Sequence, residues 1–385
     1  MAQRYPIERV AAAIVTIWGV VLMCTSACKS YQGLYAQRFF LGMVESGVSP
    51  MFMLVVGSWY KKPEQAFRMG MWYCCTGYVS IVSPLINYGL GHITSGALHP
   101  WQYMYLVAGS ITIIWGIAIF FLLPPDPIRA KGFSERERYI AIARMRENNT
   151  GVRNTHFKKE QVFETLTDVK FWLTFLIAFS MFLANGPVSS FIPIIIDGFG
   201  FNTLNSLLLS MPAGFCSGTT ELLVPLLASR TRKNRTWLIV ACEIGTIIAS
   251  CLLWKLPRSD KGGLLFGCYI LASFGGGYAV LMGLSIANIA GYTKRSVTSS
   301  GLFMGYCLGN IVGPLVFRQQ DAPAYAPGFI AVLATSILCL LLTVVYRYYC
   351  IWENRKRDRT GIEAFDHAFE DDLTDKKNPQ FRYTT

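Results

Sequence analysis

Apart from Arg347 at a membrane edge, Arg38 is the only Lys or Arg inside the long apolar runs of this sequence, and Glu45 follows it seven residues later in Leu34-Tyr-Ala-Gln-Arg38-Phe-Phe-Leu-Gly42-Met-Val-Glu45. A guanidinium in hydrocarbon costs roughly 2.5–3.5 kcal/mol at mid-helix, so it is kept where it faces a watery path, a solute or a paired acid. On a helix, seven residues place both groups on one face, about 10 Å apart along the axis. The cation can draw in an anionic solute, and the acid can take up and release a proton as that charge arrives or leaves. The same pair also fits a plain helix-tethering contact. Glu221 and Glu243 lie in other apolar runs, and Asp197 stands at the edge of one. Glu221 and Glu243 are read first as acids that reach hydrated surroundings.

Asn185, Asn288 and Asn310, with Asn87, are amides within or at the ends of apolar runs, able to hydrogen-bond a solute or to bridge helices. Tyr73, with Trp72 and Tyr278, can line a cavity or simply fill space. Gly301, Gly305, Gly309 and Gly313 recur every four residues, the spacing that lets two membrane helices approach closely. That face serves as packing or as a surface on which one half rocks against the other. The sequence has no Walker A motif, no GxSxG and no histidine within an apolar run, so neither an ATP-driven pump nor an enzyme is indicated. The 11 cysteines show no CxxC or Cys/His spacing and read as small packing residues, and neither a metal nor a cofactor is expected.

The elements that must position these residues are membrane helices. The chain is 52% hydrophobic and only 15% charged, well below the quarter usual for soluble domains. Ten runs approach or exceed the roughly 18–20 residues that cross a bilayer. They lie near 10–28, 34–59, 69–90, 101–123, 171–196, 204–228, 237–254, 264–290, 297–317 and 329–349. In lipid the backbone must satisfy itself, so the expected fold is an all-α polytopic membrane protein. Numbering the connecting segments alternately puts 29 of the 35 Lys and Arg on one side, counting Arg347 at the last membrane edge. Positive charge marks the cytoplasmic face, so both termini are expected there. The net charge of +12 is thus read as topology and anionic-lipid contact, not as nucleic-acid binding.

Four spans (1–123) precede a long connecting segment at 124–170, and six (171–349) precede a tail at 350–385. Within the connecting segment, Ser134-Glu-Arg-Glu137 is a capping-box pattern that predicts a charged helix to about Glu147. Phe157, Val162, Phe163 and Leu166 then form a short amphipathic stretch that lies on the membrane surface or serves as a solvated linker. The acidic tail residues Glu370, Asp371 and Asp372 read as a solvated run, with the binding of a regulator as the alternative. Ser80-Ile-Val-Ser-Pro84-Leu85 matches Asn310-Ile-Val-Gly-Pro314-Leu315 at four of six positions, at an offset of 230, and each hexamer follows a short basic loop. Carried back to Phe171, that offset places the matching start before Met1, so a twofold architecture would require two further helices upstream, on the order of sixty residues.

Several stretches in order resemble the major facilitator superfamily, specifically the fungal allantoate permease group of anion:cation symporters. They are Trp18-Gly19, Arg38-Phe-Phe-Leu-Gly42-Met-Val-Glu45, Trp59-Tyr60-Lys61-Lys62-Pro-Glu64-Gln65 with Arg68 and Trp72-Tyr73, and Gly151, His156-Phe157-Lys158 and Gln161. Gly291-Tyr292-Thr293-Lys294-Arg295, Gly309-Asn310-Ile-Val-Gly313-Pro314 and Ala322-Pro323-Ala-Tyr325 complete the set. The resemblance implies two six-helix lobes, with the first two helices expected to be missing here, around a central site open alternately to either side. It implies import of a small organic anion, such as a ureido acid, nicotinate or another vitamin carboxylate, with protons, across what is expected to be the plasma membrane. Arg38, and with it Glu45, falls where the superfamily carries an arginine linked to substrate or proton handling. Ser229 stands where the basic loop of the superfamily usually has an aspartate. A drug or metabolite exporter on the same fold, or a non-transporting nutrient sensor or scaffold, remains as the alternative, and the oligomeric state stays open.

Overall fold

The computed structural model describes residues 5–91, 98–124, 126, 130, 132–146, 156–186, 195–196, 198, 203–231, 233–257, 259–322, 325–359 and 372–385. Asp197, Glu147, Gly151, Pro323, Ala324, Glu370 and Asp371, singled out from the sequence, lie outside the described residues. Among the described residues every regular element is helical.

The first half holds α1 (Ile7–Cys24), α2 (Tyr31–Glu45), α3 (Val48–Trp59), α4 (Lys62–Gly91) and α5 (Pro100–Leu122). The connecting segment holds α6 (Glu135–Arg146) and α7 (Lys159–Leu166). The second half holds α8 (Val169–Phe182), α9 (Thr203–Arg230), α10 (Arg235–Lys255), α11 (Lys261–Leu271), α12 (Phe274–Ala287), α13 (Tyr292–Val316) and α14 (Ala326–Arg359). Eight helical stretches among the described residues are long and apolar enough to cross a membrane, with α2–α3 and α11–α12 each counting as one. The helix α8 also qualifies when joined to α7, from which it bends by 64°. The amphipathic stretch of the connecting segment is therefore a separate short helix at the foot of α8.

Local chemistry sets the helix starts. Ser30 caps α2 by accepting from the Gly33 amide at 3.1 Å, and Asp168 caps α8 by accepting from the Lys170 amide at 3.1 Å. At α6 the expected capping box forms: Glu137 accepts from the Ser134 amide at 2.8 Å, and Ser134 Oγ accepts from the Glu137 amide at 3.3 Å.

The two halves meet where α4 lies along α9 and α12. Small residues make that seam: a Cβ at Gly77 would run into the Gly218 backbone, one at Gly70 into Pro225, and one at Gly283 into Ala66. At the basic-loop face, Arg235 of α10 donates from Nη2 to the Lys62 carbonyl of α4 at 2.7 Å, closing the seam there.

The final segment, 372–385, docks under the second half rather than trailing in solvent. Asp375 is fully buried between Lys170 and Lys294, with Lys294 Nζ at 2.9 Å, and it accepts from Tyr383 Oη at 2.8 Å. Burial opposes its charge, and the two lysines more than offset that, holding the carboxyl well below the usual range. Lys62 Nζ sits 3.6 Å above the Phe381 ring, so the tail touches the first half as well.

Candidate functional site

A cavity of about 440 Å³ opens along the seam. From α4 it takes Tyr73, Thr76, Gly77, Ser80, Ser83 and Pro84, and from α9 it takes Ser210, Gly214, Ser217 and Glu221. These positions run from the middle of both helices toward the ends remote from the basic loops. Both sets follow helical spacing, which turns one hydroxyl-rich face of each helix inward. The cavity floor is aromatic, with Tyr73, Phe182 and Tyr306 lining it. Beneath them Tyr278 of α12 packs its ring 5.3 Å from Tyr73, 4.6 Å from Phe182 and 5.6 Å from Tyr306 of α13.

Glu221 is the acid of this cavity. Its side chain is 3% exposed. It accepts from Ser217 Oγ at 2.8 Å, one turn back on α9, and from Thr76 Oγ1 at 3.0 Å, across the seam on α4. Gly275 of α12 leaves the room its carboxylate occupies, since a Cβ there would overlap it. Glu243 is different. It is fully buried on α10, against Ser336 and Cys339 of α14, and it does not line the cavity.

The residues singled out from the sequence fall into three places. Tyr73 and Asn185 line the seam cavity, and Asn185 Nδ2 donates to Asn310 Oδ1 at 2.6 Å, joining α8's C-terminal end to α13. Arg38 is exposed and faces a second recess of about 430 Å³, with Lys29, Ser30, Tyr31, Trp101 and Tyr105. Its Nη2 donates to Tyr105 Oη at 2.6 Å. Glu45, at the last residue of α2, lies within electrostatic range of Arg38 and of Tyr306 and Cys307 on α13, but does not pair with Arg38 directly among the described residues.

Asn288 stands apart from both recesses. It caps the C-terminal end of α12 and holds the tail: Nδ2 donates to Tyr346 Oη at 2.8 Å and to the Thr384 carbonyl at 2.9 Å, while Oδ1 accepts from the Thr384 amide at 2.7 Å. The glycine row Gly301, Gly305, Gly309 and Gly313 faces α8 within the second half, against Phe171, Phe175, Phe179 and Leu183. Small residues between the halves include instead Gly70, Gly77, Gly214, Gly218 and Gly283. The sequence signal for them was present in the spacing of Gly70 and Gly77 at i, i+7 and of Gly214 and Gly218 at i, i+4.

Residues 1–314 match the Major Facilitator Superfamily. The chain is 34% identical over 389 residues to a thiamine pathway transporter of Saccharomyces cerevisiae, an alignment covering 100% of this chain and 73% of that one. It is 32% identical over 393 residues to the allantoate permease of the same yeast, covering 98% and 72%. Among solved structures, the proton:xylose symporter XylE superposes with a TM-score of 0.67 at 14% identity, over 89% of this chain and 79% of that one. The match in sequence, the similarity in fold and the cavity between two helical halves agree, and the chain belongs to the Major Facilitator Superfamily of membrane transporters.

Proposed function

We propose that the chain is a secondary active transporter that imports a small organic anion together with protons, by alternating access of the seam cavity to either face. The observation that supports this most directly is the cavity itself, polar on both sides of the contact between halves and floored by phenols. Asn185, held by Asn310, and the hydroxyls of Thr76, Ser80 and Ser217 offer hydrogen bonds to a solute carboxylate or ureido group. Arg38 supplies positive charge to the neighbouring recess, and Glu45 lies between Arg38 and Tyr306 within electrostatic range of both. The relative named for allantoate fits an anionic, nitrogen-rich solute. In this reading the basic-loop face is cytoplasmic, and the seam cavity opens away from it.

The test is uptake of labelled allantoate and nicotinate by cells expressing the full chain, with and without an inward proton gradient. Accumulation that collapses with the gradient supports symport. Accumulation indifferent to the gradient refutes it.

A further inference from the structure

Glu221 is buried at the contact between halves, yet its surroundings serve both of its protonation states. Among the described residues no Lys, Arg or His forms an ion pair with it. The titratable groups that face it are Tyr73 and Cys74 of α4 and Tyr306 of α13, with Tyr278 of α12 behind them and Glu45 beyond Tyr306. Thr76 has one hydroxyl proton and two acceptors for it: the Tyr73 carbonyl at 2.8 Å and Glu221 Oε2 at 3.0 Å. When Glu221 is ionised, the Thr76 hydroxyl turns to the carboxylate. When Glu221 is protonated, its own O–H donates to Thr76 Oγ1, and the Thr76 proton turns back to the Tyr73 carbonyl. Ser217 donates to Oε1 in either state. Neither arrangement strands a buried donor.

We propose that Glu221 is the carboxyl that carries the co-transported proton, with Thr76 relaying its protonation state across the seam between α4 and α9. The proposal rests on the proton-symport reading above and names the site of coupling within it. Thr76 reaches Glu221 only while α4 lies against α9, so the hydroxyl switch senses whether the halves are together. An anion and an ionised Glu221 repel one another inside one low-dielectric cavity. The anion therefore enters with Glu221 protonated. A hydronium ion in the cavity gives its proton to Oε2 and leaves as water; on the other face the carboxyl returns that proton to water. Nothing is oxidised or reduced.

The experiment uses the full chain in proteoliposomes, with labelled allantoate as the probe. For one proton per monoanion, an inward gradient of about one pH unit drives about tenfold accumulation. The wild type reaches that ratio. Glu221→Gln, which keeps the shape and hydrogen bonds of the neutral acid, shows none, yet still exchanges labelled for unlabelled allantoate, because exchange moves no net proton. Gradient-driven accumulation by E221Q at the wild-type ratio overturns the proposal. If the wild type itself accumulates nothing, the symport reading falls, and infrared difference spectra of the same protein then decide the role of Glu221. A carboxyl band that titrates in the wild type and is missing from E221Q supports proton exchange at Glu221, whereas identical spectra overturn it. Thr76→Val shifts the pH at which that band titrates, and an unshifted band removes Thr76 from the relay.

Discussion

The docked tail offers a perturbation whose size follows from the ion pairs. Asp375→Asn keeps the shape of the side chain and removes its charge between Lys170 and Lys294. Removing one partner of a buried pair costs about 3–5 kcal/mol when the other charge is left alone. Here neither lysine is left alone. Lys294 keeps Glu164 and Asp168, each at 2.9 Å, and Lys170 keeps Asp168 at 3.7 Å. The loss therefore falls toward the lower figure, about 3 kcal/mol, or about 150-fold in the ratio of docked to released tail. The amides of Tyr383 and Thr384 report it, since they donate to Asn354 at 2.9 Å and Asn288 at 2.7 Å. Hydrogen exchange at those amides should speed up about 150-fold in the variant, provided reclosing outpaces exchange. The pH dependence supplies a second arm. The Asp375 carboxyl is depressed in the folded protein, so its stabilisation is complete above the ordinary carboxylate value of about 3.9 and is lost as pH falls from there toward the depressed value. Wild-type protection should thus hold from neutral pH to about 4 and decline below it, with that decline flattened in the variant. Protection that changes less than about fivefold on substitution would refute the claim that Asp375 anchors the tail.

Other substitutions separate transport from packing. Arg38→Ala should cut uptake of labelled allantoate by about 10- to 150-fold, the worth of one charge-assisted contact, with surface expression intact by immunoblot. Gly77→Val drives a side chain into the Gly218 backbone, so it should cost about 1–3 kcal/mol in thermal unfolding and abolish uptake. Gly275→Val fills the space of the Glu221 carboxylate, and the pH profile of uptake should flatten while the profile of a Gly262→Ala control does not. Asn185→Ala should raise the KM of uptake without freeing the tail, whereas Asn288→Ala should speed exchange at the Thr384 amide with KM unchanged.

The helices and the capping box were legible because each is written in local pattern. Apolar run length and Ser134 with Glu137 need no knowledge of distant residues. The face that a helix shows to a distant helix is not local. Glu221 and Glu243 are the same residue type in similar apolar surroundings, and only the approach of α4 to α9 separates the cavity acid from the sealed one. The glycine row of α13 was visible as a contact surface, but its partner proved to be α8, because spacing specifies that a helix approaches and not which one. Its place beside an apolar run fits Asn288 to bind a solute or to bridge helices; α12 ends at Ala287, which puts the amide at the cap, where it bonds Tyr346 of α14 and the tail.

The tail shows the same limit in reverse. Its acidic run reads as solvated because no neighbour in sequence pairs with it, and the polar residues that follow find partners far along the chain. Their partners are 205 residues away for Asp375 with Lys170 and 96 for Thr384 with Asn288. Lys294 belongs to the basic loop by composition, yet it is 1% exposed and shared among Glu164, Asp168 and Asp375. The connecting segment, the basic loop and the tail therefore form one buried ion network at the foot of the second half. Any movement of α13 against α8 must carry this network along or break it. The network thus favours motion of the second half as one body, which moves hinging to the glycine-lined seam of α4 with α9 and α12.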